Sequence, residues 1–320
     1  MKNGKKTYLL IEAILGILVL ALALMMFRER ETGERYRVSV VIPNSEDNQW
    51  AAFKYGLKMA AEDQGIELSV VSTGNIGSKE EERELIEEET ALGADGLILL
   101  AVPGGDPEEL LSGTKIPAVF TGEPVEEKNG RFASVEPDHY GMGVTLGEEL
   151  LKDYGGRLEG KTLGFVSAQE DSEAAARRMD GVLEALEETG IEVLWHVEGS
   201  FEGGDTAFLE AQEAADFVVA LDDSSMEGAG ACAAANDLHG ALIYGMGDST
   251  EAVYYLDTGR ASCLVVPDGF QMGYQCMTLL AQKMDHYFYK MEDLVVPHRA
   301  IRRDNLFSRE NQDMLFTMSQ

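Results

Sequence analysis

A chain of 320 residues has room for one large or two medium domains, and a 45% apolar content is enough to build their cores. A formal net charge of -31 excludes nucleic acid as a partner, because a phosphate backbone needs lysine and arginine facing it, and it opposes broad adhesion to anionic lipid. Cys232, Cys263 and Cys276 are an odd set without paired spacing, so neither a disulfide framework nor a Cys-x-x-Cys metal motif follows; each sits in an apolar segment and reads as a buried, inert thiol.

Lys2, Lys5 and Lys6 precede an apolar run over residues 8–27 that only Glu12 interrupts, long enough for a helix to cross a bilayer. Two readings compete: a cleaved signal peptide with Ala21-Leu22-Ala23 as its small-residue site, or an uncleaved anchor. The run continues through Leu24, Met25, Met26 and Phe27 beyond that site, which favours the anchor. The expectation is a single-pass membrane protein with its amino terminus cytoplasmic, residues 1–35 as anchor and charged tether, and its body outside the cell.

Residues 37–64 open the body with a strand, a polar loop and a helix. Val38, Val40, Val41 and Ile42 are a β-branched run suited to a strand covered on both faces, and Pro43 ends it. Trp50, Phe53, Leu57, Ala60 and Ala61 then recur at helical spacing. The alternation repeats, with strands over 67–71, 96–100, 116–121 and 131–135 and an acidic helix over 80–92. After a helix over 141–154 and the turn 155–161 the pattern restarts. Strands over 161–167, 192–196, 217–221, 242–245 and 262–266 alternate with helices near 174–189, 207–215, 225–238 and 249–258. A last helix over 271–290 buries Met277, Leu280, Met284 and Phe288, and a strand over 295–301 lies in the tail. Two such series predict two similar doubly wound α/β domains with parallel sheets, whose ligand sites lie at the carboxyl ends of the strands.

The segments VVIPNSEDNQWAAFKYGLKMAAEDQGIEL, ALGADGLILLAVP, KIPAVFTGEP, EPDHYGMGVTLGEEL, VVALDDSSMEGA and VVPDGFQMGYQ, in that order, resemble the type I periplasmic binding proteins. This is the sugar-binding group that includes the effector domains of lactose-repressor-like regulators; the tail from Val296 resembles the end of such proteins from Gram-positive bacteria. The resemblance covers residues 36–316 and implies discontinuous domains joined by three crossovers, 36–137 plus 268–291 and 138–267 plus 292–320, with hinges near Pro137, Pro267 and Glu292.

It also implies the site. Asp47, Gln49 and Trp50 lie in the family's first ligand loop; Asp222 and Asp223 stand where the family has Asn-Asp; Asp248 stands at a family aspartate; Glu123, Asp138, Gln169 and Asp268 lie at equivalent strand ends, with Arg178 near. Sugar recognition needs planar groups that clamp adjacent hydroxyls and an aromatic face against the ring. Trp50 also reads as core, Asp47 and Asp248 as helix caps, and Arg177 and Arg178 as solvated helix surface. Asp222-Asp223 is hardest to read as scaffold, since adjacent carboxylates at a buried strand end need partners. Where the family has Asp-Arg after the fourth strand, Gly122-Glu123 stands. The loops are thus rich in acid, which leaves room for an amino-bearing ligand and argues against a phosphorylated one.

The function expected is capture of a small polar ligand, a sugar first, as the binding component of an ABC importer. The alternative partner is a membrane sensor kinase to which the liganded form is presented. A monomer is expected. No cofactor or metal is expected, because His139, His196, His239, His286 and His298 are scattered without ligand spacing. Paired carboxylates can hydrolyse glycosides, but neither GxSxG nor HExxH is present, so an enzyme is not expected. A transcriptional regulator would need a DNA-binding helix pair where the apolar run stands.

Overall fold

The computed structural model describes Gly16 and residues 36–315, apart from 46–47, 77, 101–105, 126–130, 169–170, 202–203 and 287. The first series is β1 (Arg37–Val41), a 3-10 turn (Asn48–Trp50), α1 (Ala51–Gln64), β2 (Glu67–Val70), α2 (Lys79–Ala91), β3 (Gly96–Leu100), α3 (Pro107–Leu110), β4 (Ala118–Thr121) and β5 (Phe132–Pro137). The second is α4 (His139–Asp153), β6 (Thr162–Ser167), α5 (Glu173–Ala185), β7 (Glu192–Glu198), α6 (Ala207–Glu210), β8 (Phe217–Ala220), α7 (Asp223–Ala235), β9 (Leu242–Met246), α8 (Thr250–Asp257) and β10 (Ala261–Pro267). The chain returns with α9 (Gly269–Asp285) and ends in β11 (Leu294–Val296), β12 (His298–Ile301) and α10 (Arg309–Leu315).

The strands form two six-stranded sheets, ordered β11-β5-β4-β3-β1-β2 and β12-β10-β9-β8-β6-β7. All pairings are parallel except β10 with β12. β1 is apolar on both faces because both are covered: Val38 and Val40 enter the core beneath α1 and α9, and Val41 enters the core beneath α2. Each fully buried Val, Leu or Phe contributes about 1.5–3 kcal/mol. Ser39, buried within β1, donates to Glu89 Oε2 at 2.6 Å, so the acidic helix α2 turns one carboxylate inward to meet a hydroxyl. The three cysteines are free and buried.

The chain passes between the sheets after Pro137, after Pro267 and at Pro297. The strand expected over 295–301 is therefore two strands: β11 pairs with β5 in the first sheet and β12 with β10 in the second. Pro297 has no N–H to continue a ladder, and its carbonyl instead accepts from the Asp268 amide at 2.9 Å. The third crossing consequently lies at Pro297, not near Glu292. The last helix stops at Asp285, short of the expected residue 290, and Phe288 is 92% exposed, not buried. In the tail, Arg302 pairs with Glu149 and Asp153 of α4 and fixes the end of the chain to the second domain.

The expected membrane-spanning helix, and the single-pass location at the cell membrane inferred from it, is corrected: among the described residues no helix is long and apolar enough to cross a membrane. The apolar run over 8–27 lies outside them, Gly16 excepted.

Helices that follow a crossing dock at very close range. A Cβ at Gly143 of α4 would stand 1.9 Å from the Arg178 carbonyl oxygen, and one at Gly181 of α5 2.1 Å from that of Tyr140. The first domain repeats the device between α1 and α9: a Cβ at Gly56 would be 2.1 Å from Phe270 O and one at Gly273 2.1 Å from Phe53 O. Each pair of helices is keyed backbone to backbone by reciprocal glycines. Gly143→Ala and Gly273→Ala must each push two helices apart, and each is expected to lower the free energy of unfolding by about 1–3 kcal/mol in urea titration. An unchanged midpoint in both would contradict the crossing.

Candidate functional site

The carboxyl ends of β1, β3 and β4 face those of β6 and β8 across a cavity of about 890 Å³. The first domain contributes Pro43, Asn44, Gln49, Trp50, Asn75, Leu100, Gly122 and Glu123; the second contributes Ser172, Arg178, Phe201, Asp222, Asp223, Ser224, Glu227, Glu251 and Tyr255 among others.

Trp50 occupies the rim between loop and helix. Its Nε1 donates to the Pro43 carbonyl at 3.0 Å, its ring meets Phe53 edge-on at 6.1 Å, and it packs on the first core while lining the cavity. It is thus both core boundary and cavity wall. Gln49 lines the cavity beside it, and Asn44, held at a left-handed φ of 46°, lines it too. Asp47 and Gln169 fall outside the described residues.

Glu123 follows Gly122, whose φ of 91° makes the turn out of β4. Its carboxylate accepts from Ser172 Oγ at 2.5 Å and from the Ala174 amide at 3.1 Å, which places a first-domain carboxylate on the amino end of α5 in the second domain. That end carries partial positive charge, which favours the contact. Burial raises the Glu123 pKa, and the bonds from Ser172 and Ala174, with Arg178 nearby, oppose the rise.

Arg178 reaches from α5 to the end of β8, where Nη1 donates to the Leu221 carbonyl at 2.6 Å. Its Nε donates to His139 Nδ1 at 3.2 Å, so the neutral ring carries its proton on Nε2, 3.4 Å from Glu136 Oε2. Burial lowers the pKa of His139. The exposed Arg177 pairs instead with Glu173 on its own helix at 2.5 Å.

Asp222 caps α7 in a capping box with Ser225, and its second oxygen accepts from the Ala168 amide at 2.8 Å. It therefore staples β8 to β6 while lining the cavity. Asp223 accepts from the Ser249 amide at 3.1 Å. Burial and the neighbouring charge of Asp248 push the Asp223 carboxyl up to about 8, and burial pushes Asp248 up to about 7. Asp248 is not itself on the cavity wall: its Oδ2 points toward the amino end of α9, 3.9 Å from where a Cβ of Gly269 would stand. Asp138 and Asp268 cap α4 and α9, accepting from Gly141 and Gln271 amides at 2.9 Å, and the structure does not bring either to the cavity.

Sequence reasoning passed over Asn75, Phe201, Glu227, Glu251 and Tyr255. The two glutamates and Tyr255 had a signal: Asp223 and Glu227, and Glu251 and Tyr255, are four apart on helices that begin at the site. Phe201 and Asn75 lie in loops with no period to read. Among the described residues no His, Cys, Asp or Glu group converges to hold a metal ion.

The raised carboxyls have a pH signature. An unfolded aspartate has a pKa of about 3.9, so between about pH 4 and 8 the folded protein holds protons that the unfolded chain has lost, and stability falls as pH rises. His139 and His298, lowered by burial, act in the opposite sense below about pH 6.5. The pair is isolated by the difference between wild type and Asp248→Asn. That variant is expected to flatten the fall in melting temperature between about pH 6.5 and 8; parallel profiles would remove the coupling.

A family model described as a periplasmic binding protein domain matches residues 38–287. No curated protein sequence matches. Among solved structures, an ABC transporter solute binding protein from Burkholderia graminis in complex with D-arabinose is similar at a TM-score of 0.73 and 17% identity, covering 86% of this chain and 98% of that one. GanP, a glucose-galactose binding protein from Geobacillus stearothermophilus, is similar at 0.72 and 18%, covering 86% and 100%. A chain from the complex of the TorS sensor domain with TorT is similar at 0.70 and 18%, covering 88% and 97%. At these identities the likeness is one of fold.

Proposed function

Because the chain belongs to the periplasmic binding protein family, we propose that it captures a small polar ligand, a sugar, between its two domains and delivers it to an ABC importer. The family is one of binding proteins, which sets the enzyme reading aside. The observation that carries the proposal is the cavity itself: strand ends of two domains face one another, with Gln49 and Trp50 on one side and Asp222 and Asp223 on the other. Solved structures of the same fold hold D-arabinose, tagatopyranose and myo-inositol, which supports a sugar here.

In this reading Trp50 covers the apolar face of the ring, the Gln49 amide both donates and accepts, Asp222 accepts from a hydroxyl, and Asp223, which keeps its proton near pH 7, donates to one. We assign residues 36–137 and 268–296 to one moving body and residues 138–267 and 298–315 to the other, following sheet membership. Closure is a rotation about the crossings at Pro137, Pro267 and Pro297, with the Glu123 contact to α5 as the fixed edge on one side. The likeness to a chain of the TorS–TorT complex favours a second reading, in which the closed form is presented to a sensor kinase.

A panel of D-arabinose, D-glucose, D-galactose and myo-inositol tests the proposal by thermal shift. One of them is expected to raise the melting temperature with the logarithm of its free concentration, without turnover. Trp50→Ala is expected to abolish that rise, and Gln49→Ala to weaken binding about tenfold, the loss of one well-made hydrogen bond. Appearance of a sugar product, or an undiminished rise in Trp50→Ala, would contradict it.

A further inference from the structure

The cavity extends beyond the strand tips. It runs along the second domain between α7 and α8, where Glu227 stands one helical turn beyond Asp223 and Glu251 one turn before Tyr255. Phe201, from the loop ahead of α6, lines the same wall. Both rings are seated on glycines of α7: a Cβ at Gly228 would stand 2.1 Å from the Phe201 ring, and one at Gly230 2.1 Å from the Tyr255 ring. Any larger residue at these two positions would drive an aromatic ring away from the wall. Glu227 and Glu251 both stand near enough to Tyr255 to add to the rise that burial imposes on its hydroxyl.

Charge points the same way. The described wall carries five acidic side chains, Glu123, Asp222, Asp223, Glu227 and Glu251, against one basic side chain, Arg178; Asp223 keeps its proton near pH 7, and the other acids still outnumber the single guanidinium. Arg178 serves the other end: it donates to Leu221 and His139 and lies in the field of Asp222 and Glu123. Glu123 and Asp222 in turn accept backbone amides at helix starts. Among the described residues nothing basic lines the end held by Phe201, Glu227, Glu251 and Tyr255. The carboxylates are strung along the wall and, among the described residues, do not converge as a metal site. Two aromatic rings with two carboxylates, and no metal geometry, is the chemistry that receives an ammonium group.

Resting on the sugar-binding reading above, we propose that this outer end of the cavity is a subsite for a protonated amine carried by the ligand, held by Glu227 and Glu251 against the rings of Phe201 and Tyr255. The ligand class is then an amine-bearing monosaccharide. The neutral hydroxyls meet the strand-end wall at Gln49, Trp50 and Asp223, and the ammonium meets the α7–α8 wall.

Titration calorimetry on the full chain at about pH 7 and low salt tests this. The probes are D-glucose and D-galactose, their 2-amino and 6-amino derivatives, the N-acetylated forms, and 1,4-diaminobutane. An amino sugar is expected to bind about tenfold tighter than its parent, to lose that gain on N-acetylation, and to weaken with added salt. Glu251→Gln, at an exposed position where the fold is not at stake, and Glu227→Gln are each expected to collapse the preference for amine over parent. Parent sugars binding as tightly as their amino derivatives would overturn the subsite and leave the sugar reading standing. Binding of the diamine but of no sugar would uphold the subsite and overturn the sugar reading, and binding of none would overturn both.

Discussion

The constraint on which the structure depends is that two parallel sheets must present their carboxyl ends to each other. A parallel sheet places all its loop-to-helix turns on one edge, and those turns carry the amide-rich helix starts that polar groups seek. Joining two such edges requires a chain that leaves one sheet, builds the other and comes back. Here it does so at Pro137, Pro267 and Pro297, and the helices after the first two crossings are locked at once: α4 onto α5 through Gly143 and Gly181, α9 onto α1 through Gly56 and Gly273. The chain is thus packed against its own domain immediately beyond those two crossings, which is why the proposed closure is placed at the crossings.

Acid is handled in two ways at the facing edges. Asp222, Asp138 and Asp268 satisfy amides at the starts of α7, α4 and α9 and so build the scaffold. Glu123 does the same across the divide, on the start of α5. Asp223 accepts the Ser249 amide at the start of α8 while lining the cavity, and Glu227 and Glu251 stand on the helices that leave the edge and line it too. Arg178, tied to His139, joins the second-domain wall to the residues just after the first crossing. The excess of carboxylate over guanidinium makes a wall that a phosphate would find repulsive and a hydroxyl or ammonium would not.

The strands and major helices were legible because their chemistry is local. The β-branched residues Val38, Val40, Val41 and Ile42, interrupted only by Ser39, read as a strand covered on both faces, and the period through Phe53, Leu57 and Ala61 sets the buried side of α1. The tail was not legible, because Pro297 breaks a ladder locally but the choice of β5 and β10 as partners is tertiary. Phe288 was placed inside by a helical period that the chain stops following after Asp285. In the site, an aspartate after a strand and before a helix is at once a cap and a candidate ligand, so Asp138, Asp222 and Asp268 carried the same signal. In the sequence Asp222 differs from the other two only in standing beside Asp223, and it is the cavity that singles it out as a wall residue. Phe201 had no signal at all, since its place depends on Gly228 lying open beneath it.

The central claim is that one ligand engages both domains at once. Hydrogen exchange by mass spectrometry, with and without a saturating sugar that raises the melting temperature, reads this directly. The account predicts protection both in peptides spanning residues 44–50 and in peptides spanning 222–231, with smaller changes at the three crossings. Protection confined to one wall would contradict it.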